Sequence, residues 1–351
     1  MNATDHDVAV PRAAAPVHPT HKFKLLLQRE YWEHKGGFLW APLIAGGISL
    51  LLTGMMIVFG LVAARRAAGS GDLQFDGITV NGLDIGQLTS RMDAADMAEL
   101  ARGIDLTLFL SSSWPFLVLA FVVFFYCLGA LYDERKDRSV LFWKSLPVSD
   151  AQTVLSKVAS AVVVAPVLAV VASLLTMLGF MLMLSVVVLV HGGNPWTLLW
   201  GPASPLTIVG GTLAWIPVYA LWSLPTVGWL LLCSAWSHSK PFLWAIMVPL
   251  FAGIFVSWFD LMEMFNLDSS WFWSNVVSRL LLGTVPGMDL LYRGGIAEGG
   301  SSEGLEQVLQ TLTPTSQLAS LSMPQLWIGA VVGAVMIYVA IQLRRRRELA
   351  D

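Results

Sequence analysis

The stretch Val158–Val190, VASAVVVAPVLAVVASLLTMLGFMLMLSVVVLV, runs for 33 residues without one charged side chain. A helix rises about 1.5 Å per residue and a bilayer's hydrocarbon core is about 30 Å thick, so about 20 apolar residues suffice to cross it. This stretch exceeds that length and holds Pro166, which removes one helix hydrogen bond, so it predicts a span that tilts or kinks. Working outward, five more regions qualify. They run from about Phe38 to Ala64, Leu106 to Leu131, Thr207 to Trp236 (with Pro217 and Pro225), Phe242 to Phe259, and Gln325 to Leu343. A shorter apolar patch, Trp271 to Val285, is interrupted by Arg279 and bounded by Pro286 and Gly287. It predicts a re-entrant or interfacial hairpin between spans five and six, with Trp271, Trp273, Arg279 and Pro286 as its marked residues. The expected fold class is therefore all-α: a polytopic membrane protein of six transmembrane helices.

Composition agrees. The chain has 351 residues, 56% of them hydrophobic and 13% charged. An ordinary soluble protein carries roughly twice that charged fraction, which argues against a water-soluble enzyme. The net charge of -3 offers no electrostatic footprint for nucleic acid. The two cysteines, Cys127 and Cys233, both fall in apolar runs and read as buried small hydrophobes, not a disulfide or a metal site.

Orientation follows from the basic residues, which collect on the cytoplasmic side of membrane proteins. With six spans both ends of the chain share a side. That side holds Arg12, Lys22, Lys24, Arg29, Lys35, Arg135, Lys136, Arg138, Lys144, Lys157, Lys240 and Arg344–Arg347, fifteen in all, against Arg65, Arg66, Arg91, Arg102, Arg279 and Arg293 on the other. Both termini are thus expected in the cytoplasm, although Arg65 and Arg66 sit against the rule. Residues 1–21 are polar and rich in Ala, Pro and His, and predict a disordered cytoplasmic tail with no secretory signal. Residues 22–351 form one transmembrane domain. Its outer loops, 65–105 and 260–323, each carry seven acidic side chains, and the second has a Gly/Ser-rich stretch from Gly294 to Gly304.

Two cytoplasmic segments are more informative than the spans. In His21–Lys35, HKFKLLLQREYWEHK, Phe23, Leu26, Leu27 and Tyr31 recur at helical spacing while Lys24, Gln28 and Lys35 fall on another face. Residues 22–36 predict an amphipathic helix along the inner leaflet, with Arg29, Glu30, Tyr31 and Trp32 at its end. The second segment lies within residues 132–157. Asp133, Glu134, Arg135, Lys136, Asp137 and Arg138 form a mixed-sign hexad, followed by an apolar run with Phe142, Trp143 and Lys144. Pro147 stops that run, and Ser149 or Asp150 can cap the next helix. Exposed aromatics beside charges suit a docking surface, while the plainer reading places them at the membrane interface.

REYWEHKGGFLWAP at Arg29–Pro42 and LYDERKDRSVLFWKSLPVSDAQTVLSK at Leu131–Lys157 resemble the corresponding blocks of ABC-2 type transporter permeases. The six spans, the cytoplasmic termini and the outer hairpin are similar to that family too, although the 65–105 loop is longer than its minimal pattern. The resemblance implies a dimer with a second permease copy or a paralogue, in a cell's inner membrane. It implies a separate ABC ATPase that binds ATP and Mg and acts on the pair. The loop between spans two and three would be the coupling helix, flanked by the amphipathic helix, and the outer hairpin would help close the exit side.

The chain's lacks point the same way. There is no G-x-x-x-x-G-K-[ST] phosphate loop, no H-E-x-x-H and no G-x-S-x-G, so no catalytic site or cofactor is expected in this chain. The spans hold almost no ionisable residue, which disfavours an ion-coupled carrier and fits an engine outside the membrane. A hydrophobic or amphipathic cargo is expected, with membrane lipid as a partner and no nucleic acid. A non-transporting scaffold or sensor is the competing reading. His191 and His238 read as interface residues, Arg344–Arg347 as a stop signal meeting anionic headgroups, and Gly329 with Gly333 as a small-residue packing pair. Trp215, Trp222, Trp229 and Trp244 are candidates to line a path for an amphipathic substrate.

Overall fold

The computed structural model describes residues 19–70, 74–75, 78–79, 92–139, 148–262, 268–288, 310–311 and 313–347. The expected tail over residues 1–18, the Gly294–Gly304 stretch and the Phe142–Trp143–Lys144 run lie outside these residues. The described residues are almost wholly helical; a two-residue ladder, Gln74–Phe75 against Ile78–Thr79, is the exception. Six helices are long and apolar enough to cross a membrane: Gly36–Arg66, Ala94–Lys136, Asp150–Val190, Pro205–Trp222, Pro241–Leu261 and Pro324–Arg346. The chain is thus a multi-pass membrane protein by length and hydropathy.

Helix α1 (Pro19–Glu33) passes through a π-helical turn, Gly36–Trp40, into α2 (Ala41–Ser70). α3 (Ala94–Ser112) starts twelve residues before the apolar run that predicted it. Its start is set by chemistry: the Asp93 carboxylate accepts from the backbone N–H groups of Ala95 and Asp96, and the Asp96 carboxylate accepts from that of Asp93. Residues 94–105, expected as loop because they carry charge, are thereby helical.

α3 gives way to α4 (Trp114–Gly129) at Ser113. Pro115 has no N–H for the Ser111 carbonyl, and a bundle without water must satisfy that carbonyl otherwise. Ser49 Oγ donates to the Ser111 carbonyl and Ser173 Oγ to the Ser112 carbonyl, each at 2.7 Å, which ties α2 and α7 to the break. After the short α5 (Tyr132–Lys136), α6 (Asp150–Ala159) is capped by Ser149 and runs through a π-helical turn, Ser160–Val164, into α7 (Ala165–Val190). The π turn immediately precedes Pro166, the residue that predicted the kink.

The region expected as span four is two helices, α8 (Pro205–Trp222) and α9 (Leu224–Trp236), with the break at buried Ser223 just ahead of Pro225. α10 is Pro241–Leu261. The patch expected as a hairpin is helical from Ser269 to Leu282 as α11 (Ser269–Phe272), a π turn (Trp273–Val277) and α12 (Ser278–Leu282). α13 (Pro314–Ala319) leads into α14 (Pro324–Arg347).

α9 and α14 cross most closely. A Cβ on Gly333 would lie 2.5 Å from the Leu224 carbonyl carbon and oxygen, and one on Gly228 would lie 2.6 Å from the Gly333 carbonyl oxygen. Gly333 therefore packs within the subunit, backbone against backbone. Apolar side chains point outward over α2 (Leu51, Met55, Met56, Phe59) and α10 (Phe251, Phe255, Trp258), the pattern expected of a surface facing acyl chains.

Candidate functional site

The site begins with charges the bundle has buried. At the end where α1 and the C-terminal part of α14 both pack on α6, Glu30 (1% exposed), Lys157 (2%), Arg344 (6%) and Glu134 (8%) come together. Lys157 Nζ bridges Glu30 Oε1 at 2.9 Å and Glu134 Oε1 at 3.0 Å. Arg344 Nη1 reaches Glu134 Oε2 at 2.7 Å, and its Nε reaches Asp150 at 3.3 Å. Tyr126 donates its hydroxyl to the second Glu30 oxygen at 2.8 Å. Arg29 lies 3.8 Å from Glu134 and 3.1 Å from Glu33. Four carboxylates, Glu30, Glu33, Glu134 and Asp150, thus face Arg29, Lys157 and Arg344. Burial of this many charges is tolerable because each faces a counter-charge.

The elements explain the geometry. Glu30 follows Leu26 by one helical turn on the inward face of α1, so the face that buries Leu26 also buries Glu30. Glu134 sits in α5, where two neighbouring turns are pinned by one hydroxyl: Ser234 Oγ accepts from the backbone N–H groups of Leu131 and Tyr132 and donates to the Leu128 carbonyl. Arg135 Nη2 donates to the Ser234 and Ser237 carbonyls at 2.5 and 2.9 Å, fixing α5 to the end of α9. Within the hexad, Glu134 and Arg135 therefore turn inward, while Asp133, Lys136, Asp137 and Arg138 remain exposed. Arg138 closes the segment with a left-handed backbone, φ 56°.

The remaining marked residues are spread out. Tyr31 and Trp32 meet edge to face with centroids 5.7 Å apart, Trp32 is exposed, and Lys35 lies 5.2 Å over its ring. Trp271 is exposed; Trp273 donates its indole N–H to Ser257 Oγ at 2.8 Å and packs over Gly253 of α10. Arg279 is buried with its guanidinium carbon 3.6 Å over the Trp222 ring, and it occupies the space that a Cβ on Gly329 would need. Pro286 lines a cavity.

That cavity, about 650 Å³, is bounded by α3, α4, α8, the start of α10 and the Leu281–Gly287 segment. Phe109, Ser113, Phe116, Ala120 and Phe124 line it from successive turns of one helical face. Of the four candidate tryptophans only Trp215 lines it. Trp222 holds Arg279, Trp229 donates to the Ala245 carbonyl at 2.9 Å, and Trp244 meets Trp236 edge-on.

Sequence reasoning missed Lys157, Arg344, Tyr126 and Asp150 as members of one cluster. Arg344 departs most from expectation: it reads as a headgroup-facing stop signal, yet it turns inward, while Arg345 and Arg346 stay exposed. The signal available was Lys157 itself, which stands directly before a 33-residue stretch without charge. Among the described residues no three His, Cys, Asp or Glu side chains are grouped to hold a metal ion. Comparison with family models, curated proteins and solved structures found no match for this chain.

Proposed function

We propose that the chain is the membrane subunit of an ABC-2 type exporter, moving a hydrophobic or amphipathic substrate with ATP hydrolysed by a separate subunit. The observation that carries this reading is the buried ion network centred on Glu134. In an exporter driven from outside the membrane, force arrives at the loop between spans two and three. Here that loop contains Glu134, whose carboxylate holds Lys157 at the start of α7's span and Arg344 at the end of α14, while Lys157 also holds Glu30 of α1. A push on the Asp133–Arg138 segment is thereby shared among three other elements by strong, short contacts and not dissipated in a mobile loop.

The rest of the assignment follows the same logic. Asp133, Lys136, Asp137, Arg138, Phe142, Trp143 and Lys144 present the docking surface to the ATPase. α1, with Arg29, Tyr31 and Trp32, lies along the inner leaflet beside it. The Ser269–Leu282 helix is one arm of the outer hairpin, and both termini are cytoplasmic. A second permease copy or paralogue completes the pathway, and the aromatic cavity receives the cargo.

Affinity purification from the native membrane tests the reading: a stoichiometric ATPase with a phosphate loop is expected. In proteoliposomes of that complex, Phe142→Ala with Trp143→Ala should lower transport and substrate-stimulated ATPase activity by about tenfold or more, as truncating aromatic anchors does at interfaces. Purification alone or with a kinase, or full coupling in the double variant, would overturn it.

A further inference from the structure

Two walls of the aromatic cavity run in register. Asp105 accepts from the Ser204 N–H at 2.8 Å, Phe116 meets Trp215 with ring centroids 5.0 Å apart, and Ser234 Oγ accepts from the Leu131 N–H. The first two pairs are each 99 residues apart and the third 103, so α3–α4 and α8–α9 run side by side in the same direction. Ser113 and Thr212 both line the cavity and share the offset of 99. They therefore stand at one level on its two walls, about one helical turn from the Phe116–Trp215 contact.

The chemistry of the pair is one-sided. Ser113 Oγ donates to the Leu110 carbonyl and Thr212 Oγ1 to the Ile208 carbonyl, each at 2.8 Å. Each proton is committed to the hydroxyl's own helix, so a ligand finds only acceptor lone pairs there. Serines and threonines in membrane helices commonly bond back in this way and need no further partner. What distinguishes this pair is that two such acceptors share one level of one cavity, whose volume of about 650 Å³ and aromatic walls suit a small-molecule site. From that level to Phe125 the lining on α4 is wholly apolar over about 18 Å, close to one leaflet's share of a bilayer's hydrocarbon. Leu117, Phe121 and Phe125 also line the cavity, recur at every fourth residue and are 58%, 60% and 57% exposed, so the cavity opens on the bundle's side, toward acyl chains. Among the described residues that line it, none is ionisable.

We infer that the cavity binds an uncharged long-chain alcohol, its hydroxyl between Ser113 and Thr212 and its chain along the Phe116–Phe125 wall. As a statement about cargo this rests on the exporter reading and narrows it; as a statement about binding it stands alone. A charged head of either sign would be desolvated in a space that offers it no counter-charge. A head without a donor gains nothing from two acceptors. An alcohol gives its proton to either oxygen and needs no ion to balance it.

Photolabelling of the purified full-length chain in lipid nanodiscs tests this without any ATPase. The probe is hexadecanol with a diazirine at mid-chain; its O-methyl ether and its trimethylammonium and sulfonate analogues serve as references. Label on Phe116, Ala120 and Phe124 is read relative to label on the outward-facing Met55, Met56 and Phe59 of α2, which corrects for partition into the bilayer. On that scale the alcohol should label the cavity about three- to tenfold more than the ether, the worth of one net hydrogen bond, and both charged probes should fall below the ether. Ser113→Ala with Thr212→Val should bring the alcohol down to the ether; where the double variant does not fold, either single variant should remove part of the difference. Ala120→Phe, or Thr212→Phe where the first does not fold, should lower labelling by alcohol and ether alike by filling the cavity. Equal labelling by all four probes, as a groove merely wetted by lipid gives, would overturn the site. So would an alcohol preference that survives the loss of both hydroxyls, or labelling indifferent to both filling variants. An ATPase that co-purifies while the probes label equally sinks the site and spares the exporter reading. Selective labelling with no ATPase does the reverse.

Discussion

Two regions of the bundle bury basic side chains, and they do so by different means. At one end Lys157 and Arg344 are matched by Glu30, Glu134 and Asp150 at 2.7–3.3 Å. Fifteen residues earlier on α14, about 22 Å of helix away, Gly329 makes room for Arg279, whose guanidinium lies flat on Trp222. The first region answers charge with charge. The second supplies a π face and a notch where a side chain is missing, and the Thr226 hydroxyl grips the Arg279 backbone carbonyl at 2.6 Å. A carboxylate network is strong only when complete, because each member left alone is a buried ion. The ring and the notch that Arg279 occupies adapt gradually as the local shape changes.

The sharpest way to break this comparison is Glu134→Ala, which strips both Lys157 and Arg344 of their shared partner. Removing one partner of a buried pair costs about 3–5 kcal/mol, read by chemical denaturation in micelles. Converting Glu30, Glu134, Lys157 and Arg344 together to Leu or Met should recover most of that loss, since apolar groups of similar volume often replace buried ions at little cost. A quadruple variant less stable than Glu134→Ala would show that the network's packing, not its charge balance, supports this end.

Next in size is a pair of glycine substitutions. Gly333→Ala drives a methyl into the Leu224–Pro225 backbone and should cost about 1–3 kcal/mol. Gly329→Ala meets the far end of a long side chain instead, and Arg279 can slide along the Trp222 ring, so the same measurement should find a smaller loss. Equal losses would mean that the Arg279 notch is as rigid as the helix crossing. The smallest expected effect is Glu33→Gln: its pair with Arg29 is half exposed, so its removal should shift stability by at most about 0.5 kcal/mol. That result sets the buried carboxylates of α1 and α5 apart from their exposed neighbour.

The spans were legible because a run of some twenty residues without charge has few other uses. Their ends were not. Ala94 begins a helix because Asp93 and Asp96 cap each other, a local arrangement that outweighs the polarity of the first three turns. The break at Ser223 and the π turn at Ser160–Val164 were visible only as nearby prolines. Of the site, Glu134 and Arg135 stood out as part of a hexad, but their inward turn depends on Ser234, about a hundred residues away. Lys157 and Arg344 each fitted the positive-inside pattern individually, and only three-dimensional proximity shows that they share one carboxylate. The cavity was hidden for another reason. A stripe of aromatics at helical spacing looks the same whether it faces protein, lipid or an empty space.

The network also has a consequence for how the chain is made. Glu134 and Arg344 are 210 residues apart, so at ordinary synthesis rates the carboxylate waits about 10 to 40 s for its arginine. Until then the first five spans hold a half-neutralised charge at their base, and the turn that answers it is the last helical turn of α14. A nascent chain that stalls or is cut before Arg344 keeps Glu134 on Lys157 but leaves its second oxygen without the arginine. Completion of translation is thereby written into the electrostatics of the fold.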